Sequence, residues 1–350
     1  MNNNDSGTRS FEPVQPKQQP TKPTKKAKPT PKKVVAAAIF TVVIAIIVLF
    51  CAIIIAEIAY KVSGDPTDNV NGTPKYNDIT VSSADSAKGE LIIVNKQNPM
   101  SDSLKSEVEQ TIKNVFAYNA ALKTEDPSHV VYYKYRDTDD QKSSLVPTVA
   151  DKFNAMTTAL YNETGCGDIL FAYGYMKPND KTLDCDYIHQ AGMTADIKLS
   201  TGDGTHKLSS NSTVYTWLNT NCSKFGFINS YPVSTDDGYS ISGGITGGDH
   251  GSDEVVASAQ YRYVGIAHAT YIMTNSLTVE GYISLLKTSH NGNENALNIT
   301  GADGNSYSVY YVAASGSETA ISVPSNYNYT ISGDNMGGFI VTVNLSEKID

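Results

Sequence analysis

Residues 34–56, VVAAAIFTVVIAIIVLFCAIIIA, are 23 consecutive positions of which only Thr41 is polar. A helix of that length spans a hydrocarbon core of roughly 30 Å, so the run divides the rest of the chain into a part before a membrane and a part after it. A cleavable signal peptide has a shorter apolar region, a shorter basic leader and a small-x-small cleavage site. The bulky Phe50 before Cys51 also argues against lipoprotein processing. A buried core helix is the competing reading, and length without charge speaks against it. Lys-rich flanks stay cytoplasmic. The expectation is therefore a single-pass signal anchor over 34–59, with a cytoplasmic tail at 1–33 and all later residues outside the cell membrane.

The charge distribution follows the same division. Of 27 Lys/Arg and 36 Asp/Glu in the chain, eight and two lie in the first 33 residues, which leaves 19 basic and 34 acidic residues downstream. No basic stripe remains there to follow a phosphate backbone, which excludes nucleic acid as a partner class. The Lys/Pro-rich tail has the composition of a disordered segment, with lysines suited to anionic headgroups. Cys51 falls in the apolar run, leaving Cys166, Cys185 and Cys222 outside. An oxidising compartment permits one bridge among the three, and the sequence does not choose the pair.

Residues 60–88 are rich in Gly, Pro, Asn, Asp and Ser and read as a flexible stalk. A main body over 89–287 follows. SDSLKSEVEQTIKNVFAYNAALK has helical apolar spacing, with Ser101 or Asp102 as N-cap. A second helix runs from near Pro147 to before Gly165. DILFAYGYM, TADIKL and SAQYRYVG read as strands. In STVYTWLNTNCSKFG the residues Val214, Trp217, Leu218, Cys222 and Phe225 share one helical face and read as core. Two helices close the body. From 288 to 350 the texture changes to short strands broken by Asn, Gly and Ser, read as a small all-β appendage. Helices mixed with short strands predict an α+β fold, a small mixed or antiparallel sheet with packed helices.

The chemistry concentrates in DYIHQAGMTADIKL, where His189 stands seven residues before Asp196 with Gly192 between them. A His and a carboxylate so placed can hold a metal. Three ordered segments carry a resemblance: LIIVNKQNPM, HQAGMTADI, and WLNTNCSKFGFINSYP followed by QYRYVGIAHATYIMTNSLTVEGYISLL. They are similar to the VanY-type D-alanyl-D-alanine carboxypeptidases, zinc peptidases that trim bacterial cell-wall peptides, whose zinc signature is H-x-x-G-x-x-x-D. The likeness covers roughly residues 90–287.

The resemblance implies that His189 and Asp196 are two zinc ligands. A catalytic zinc needs a third ligand and an open position for water, and hydrolysis also needs a proton-shuttling carboxylate and a cation for the substrate carboxylate. Here the family's EPWHYRYVG reads ASAQYRYVG, so Gln260 takes the third-ligand position and Ala257 that of the catalytic Glu. The family's SGYRS reads YGYMK, so Met176 replaces the substrate-clamping Arg, and Tyr187 replaces the Ser two residues before the signature His. Gln is a poor zinc donor beside imidazole, and Ala carries no proton. Substitutes exist nearby in sequence: His250 or Cys185 as ligand and Glu254 as base. Tyr173, Tyr175, Tyr187, Tyr261 and Tyr263 suit a recognition surface, although strand tyrosines are as often core.

The expectation is a membrane-anchored, extracellular, carboxypeptidase-like envelope protein that binds cell-wall stem peptides or an envelope protein without turnover, with no zinc or weak zinc. The alternative is an active zinc D,D-carboxypeptidase with relocated ligand and base. A purely structural envelope protein, with the β region as its interaction module, is the third reading.

Overall fold

The computed structural model describes residues 73–139, 141–177, 184–206, 208, 212–230 and 259–349, with the side chains of 184–186 excepted. The apolar run at 34–56 lies outside the described residues. Among those described, no helix is long and apolar enough to cross a membrane. The described residues all fall within one compact unit.

The first described element is strand β1 (Tyr76–Ser82). After a buried irregular run at Leu91–Val94 comes helix α1 (Asp102–Thr111), whose N-cap Ser101 accepts from the Leu104 amide at 3.2 Å. The single helix expected through residue 123 is in fact interrupted. Lys113–Asn114 form β2, and α2 (Val115–Glu125) restarts with Asn114 as N-cap. Asn competes with the helix for backbone groups and favours caps, and here its side-chain oxygen accepts from the Ala117 amide at 3.1 Å. β3 (Lys134–Tyr135) and β4 (Ser144–Leu145, the partner of β2) precede α3 (Pro147–Thr164). That helix begins at the expected Pro and ends at Gly165, whose φ of 72° is left-handed.

β5 (Ile169–Tyr173), a 3-10 segment (Asp184–Ala191), β6 (Thr194–Thr201) and β7 (Gly204–His206) follow. Next come α4 (Thr213–Asn221), β8 (Phe227–Asn229), β9 (Ala259–Tyr263), α5 (Ile266–Thr274) and α6 (Val279–Ser289). The chain closes with β10 (Leu297–Thr300), β11 (Ser306–Ala313), β12 (Glu318–Pro324), β13 (Tyr327–Gly333) and β14 (Gly338–Lys348).

The central sheet runs β3-β5-β6-β9-β8, with β7 hairpinned onto β6, and is antiparallel except for the β3–β5 pair. Strand side chains alternate between faces, which splits β6 and β9 cleanly. Ala195, Ile197, Ala259, Tyr261 and Tyr263 join Phe227 in a core against α3 and α4, to which the predicted Trp217–Leu218–Cys222 stripe belongs. The alternate positions Thr194, Asp196, Gln260 and Arg262 are also buried and lie on the opposite face. There Arg262 donates to the carbonyl oxygens of Glu90 (3.4 Å) and Ile92 (2.5 Å), tying the irregular N-terminal run to β9.

Two readings of the chain's organisation are corrected here. The stalk assigned to 60–88 contains β1, which pairs antiparallel with β12 from Tyr76↔Pro324 to Ser82↔Glu318. The sequence disguises this because YNDITVS alternates weakly and sits among loop formers. The C-terminal strands are likewise no separate appendage. Val309, Tyr311 and Ile340 share a core with Leu91, Ile93, α5 and α6. β10-β11-β14-β13 form a second sheet, and its other face packs Tyr310, Phe339 and Val341 against Ile321, with Tyr76, Ile79 and Val81 from β1.

Candidate functional site

Gly192 makes the site possible. It sits at φ 67° between the 3-10 segment and β6, and a Cβ there would lie 2.8 Å from the Ile112 side chain. Only glycine accepts that backbone and that crowding at low cost. The resulting reversal, closed by the Gly192 amide on the His189 carbonyl at 3.0 Å, turns His189 back over β6. In the sheet, register places Asp196 opposite Gln260 of β9 on one side and opposite Tyr173 of β5 on the other. His189, Asp196 and Gln260 are thereby brought together, all buried.

His189 Nδ1 lies 2.5 Å from the Gly174 carbonyl oxygen, an acceptor only, so Nδ1 carries the donated hydrogen. That tautomer directs the Nε2 lone pair inward, the arrangement by which second partners orient metal-binding imidazoles. Gly174 is itself fixed, since its amide donates to the Lys142 carbonyl and a Cβ would run into the Ser144 carbonyl. Nε2 stands 3.3 Å from Asp196 Oδ1 and 3.2 Å from Gln260 Nε2. With the ring neutral, Nε2 is an acceptor and is met by the N–H end of the Gln260 amide. Asp196 Oδ1 and Gln260 Oε1 are buried with no hydrogen-bond partner among the described residues.

Two donors about 2.0–2.1 Å from one tetrahedral ion are about 3.3–3.4 Å apart. The 3.3 Å between Nε2 and Oδ1 is that spacing. The third position fails, because Gln260 presents an amide nitrogen that has no lone pair to give and instead occupies the one on His189. No group of three His, Cys, Asp or Glu that could hold a metal exists among the described residues. The described residues therefore provide two zinc donors rather than the three a hydrolytic site needs, and no hydrolytic step follows from them.

The other expected residues are placed as follows. Tyr175 is 1% exposed, and its hydroxyl donates to Glu109 Oε1 at 2.8 Å, where Lys177 also pairs at 3.2 Å. Burial and the Glu109 charge push the Tyr175 phenol well above its ordinary range. Met176 is half-buried beside it, and Tyr187 is half-buried against the cluster of Ile92, Met100 and Leu104. Tyr173, Tyr261 and Tyr263 are buried as well, so the tyrosine-rich recognition surface is corrected: four of its five members are core. Tyr173, Tyr261 and Tyr263 lie on β5 and β9, where both faces of the sheet are covered, and Tyr175 lies just beyond β5 against Glu109. Ala257, Glu254, His250 and the side chain of Cys185 lie outside the described residues. Cys166 and Cys222 are free thiols, which corrects the bridge for these two, and burial raises the Cys222 thiol to about 12.

Sequence reasoning missed the Gly174 carbonyl, since a backbone acceptor has no signature. It also missed Gln190 beside His189, whose buried amide has neither atom hydrogen-bonded among the described residues.

The chain is 24% identical over 265 residues to a D-alanyl-D-alanine carboxypeptidase of Enterococcus faecium, covering 73% of this chain and 75% of that one. It is 27% identical over 246 residues to one of Enterococcus faecalis, covering 65% and 75%. The chain is therefore similar to D-alanyl-D-alanine carboxypeptidases of the VanY type. No family model matches the chain. The fold of the vancomycin-resistance D,D-dipeptidase VanXYg, solved with a D-Ala-D-Ala phosphinate analogue, superposes with a TM-score of 0.54 at 18% identity, covering 77% of this chain and 99% of that one. The mixed α+β carboxypeptidase fold is therefore present, and within it Gln260 lies against His189.

Proposed function

We propose that this carboxypeptidase-like chain is a binding protein of the bacterial cell envelope, one that holds D-alanyl-ended cell-wall peptides or an envelope protein without hydrolysing them. The observation that carries the reading is the Gln260 amide seated on His189 Nε2 at 3.2 Å. It supplies internally the electropositive partner that a zinc ion would supply, so the imidazole is satisfied without metal. Ala257 at the base position and Met176 at the clamp position support the same conclusion, since each removes a separate requirement of hydrolysis. The 23-residue apolar run supports a single-pass anchor, with the Lys-rich tail cytoplasmic and the body at the wall.

The test uses the full-length chain purified without chelators. The reading expects far less than one zinc per chain, no D-alanine released from a D-Ala-D-Ala-terminated peptide, and retention on sedimented peptidoglycan. Near-stoichiometric zinc lost on His189→Ala, together with D-alanine release, would overturn it.

A second reading, an active zinc D,D-carboxypeptidase, is favoured by the 3.3 Å donor spacing and the unpartnered Asp196 Oδ1. It needs Gln260 displaced, His250 or Cys185 as third ligand and Glu254 as base.

A further inference from the structure

A protein that binds peptide ends needs a cation for the terminal carboxylate, and Met176 brings none to the position where the resemblance puts one. The residue after it does not supply the charge. Lys177 pairs with Glu109 Oε1 at 3.2 Å, and the Tyr175 hydroxyl donates to the same oxygen. Arg262, two positions along β9 from Gln260, is 5% exposed and donates to the Glu90 and Ile92 carbonyl oxygens.

Another cation reaches the site from the far side of the sheet. Arg136 follows directly on β3, and its amide donates to the Phe171 carbonyl of β5 at 3.1 Å, which extends the β3–β5 ladder by one residue. Alternation decides which way its side chain points. Tyr133 belongs to the core against α3 and α4, and Tyr135 packs on that core, so Lys134 and Arg136 lie on the opposite face. That is the face of Asp196 and Gln260. Tyr173 joins them, because the irregularity between Phe171 and Tyr173 sets Tyr173 opposite Asp196. The side chains meet accordingly: the Arg136 guanidinium carbon lies 4.2 Å from the centre of the Tyr173 ring.

Arg136, Tyr173, Asp196 and Gln260 thus form one row across β3, β5, β6 and β9. Neighbouring strands are about 4.8 Å apart, so the Arg136 and Asp196 backbones stand about 10 Å apart. Asp196 and Gln260 are buried and Arg136 is exposed, so the row runs from the surface into the site. Stacking engages the flat face of a guanidinium, while its N–H groups lie in the plane as the fork that matches a carboxylate. A guanidinium held on a ring is also preorganised, which lowers the entropy cost of using it. Asp137 and Asp139 follow in the chain, and there the Asp137 carboxylate accepts from the Asp139 amide at 3.0 Å.

We propose that Arg136, positioned by Tyr173, receives the terminal carboxylate of a peptide ligand in this chain, in place of the charge missing at Met176. The inference rests on the binding reading above and names the end of the peptide that the site selects. Adjacent residues of a peptide are about 3.8 Å apart at Cα, so a carboxylate on Arg136 sets the last peptide bond over Tyr173, on the side of His189 and Asp196.

The probes are N-acetyl-D-alanyl-D-alanine and its C-terminal amide, titrated calorimetrically into the full-length chain in detergent. The acid should bind at least about tenfold more tightly than the amide, since a charge-assisted contact is stronger than a neutral one. Arg136→Gln should weaken the acid about tenfold and leave the amide unaltered, a split that a merely structural stacked pair would not produce. Arg136→Lys should recover only part of the loss, because an ammonium lacks the fork. Equal affinity for acid and amide, or undiminished acid binding by Arg136→Gln, would overturn the inference. Absence of binding by either probe would overturn it too, and sedimented peptidoglycan then separates the two failures. A chain still retained there keeps the binding reading and loses the role of Arg136, whereas a chain not retained loses both.

Discussion

Gln260→His is the substitution that examines the site most directly. The β6–β9 register sets position 260 opposite Asp196, and its side chain already reaches His189 Nε2 at 3.2 Å. An imidazole there removes the amide that caps Nε2 and adds a donor with a lone pair, giving two nitrogens and the Asp196 oxygen around one point. Structural zinc sites of four donors are worth about 10–16 kcal/mol, so one donor is worth about 3 kcal/mol, or roughly a hundredfold in affinity. Zinc binding would be followed by competition with a chromophoric chelator at neutral pH, comparing the natural chain, Gln260→His, and Gln260→His combined with Asp196→Ala. The expected result is about a hundredfold tighter zinc in the single variant, most of it lost in the double variant. Hydrolysis should not return, because Ala257 still carries no proton. A folded Gln260→His that binds zinc no more tightly than the natural chain would refute the reasoning, since the register would then not direct position 260 at His189.

Four further outcomes follow from the packing and the buried ionisable groups. His268 is fully buried, with Nδ1 2.9 Å from the Tyr282 hydroxyl and Nε2 2.9 Å from Thr342 Oγ1, and burial lowers its pKa to about 3. The unfolded chain, with His near 6.5, binds the proton first, so stability falls as pH drops from about 6.5 towards 3, by about 2 kcal/mol at pH 5. Urea melts at pH 7 and pH 5 should show this loss reduced in His268→Gln relative to the natural chain. Ile321→Ala, at a fully buried position facing Ile79 of β1, should cost about 2–5 kcal/mol. A chain begun at residue 89 should expose the same core and lose the cooperative melt of the C-terminal sheets, which circular dichroism would register. Gly174→Ala should cost about 1–3 kcal/mol in urea, because the added Cβ meets the Ser144 carbonyl, and it should abolish the zinc gain of Gln260→His by moving the carbonyl that fixes His189.

Local signals in the sequence determined the helix limits at Pro147 and Gly165, the α4 stripe and the core strands, because caps and periodicity are encoded within a few residues. The resemblance of three short segments to the carboxypeptidases singled out His189, Asp196 and Gln260. The tertiary structure alone decided what those residues do to one another. The His189 tautomer depends on a carbonyl fifteen residues away, and the capping amide comes from seventy-one residues away. β1 pairs with a strand more than two hundred residues later, so a segment with the composition of a stalk becomes part of a core. Coverage of both faces of the central sheet buried the strand tyrosines that composition alone offered as a surface. In each case the deciding partner is distant along the chain and lies in reach only once the sheet register is set, and register is a property of the packed molecule.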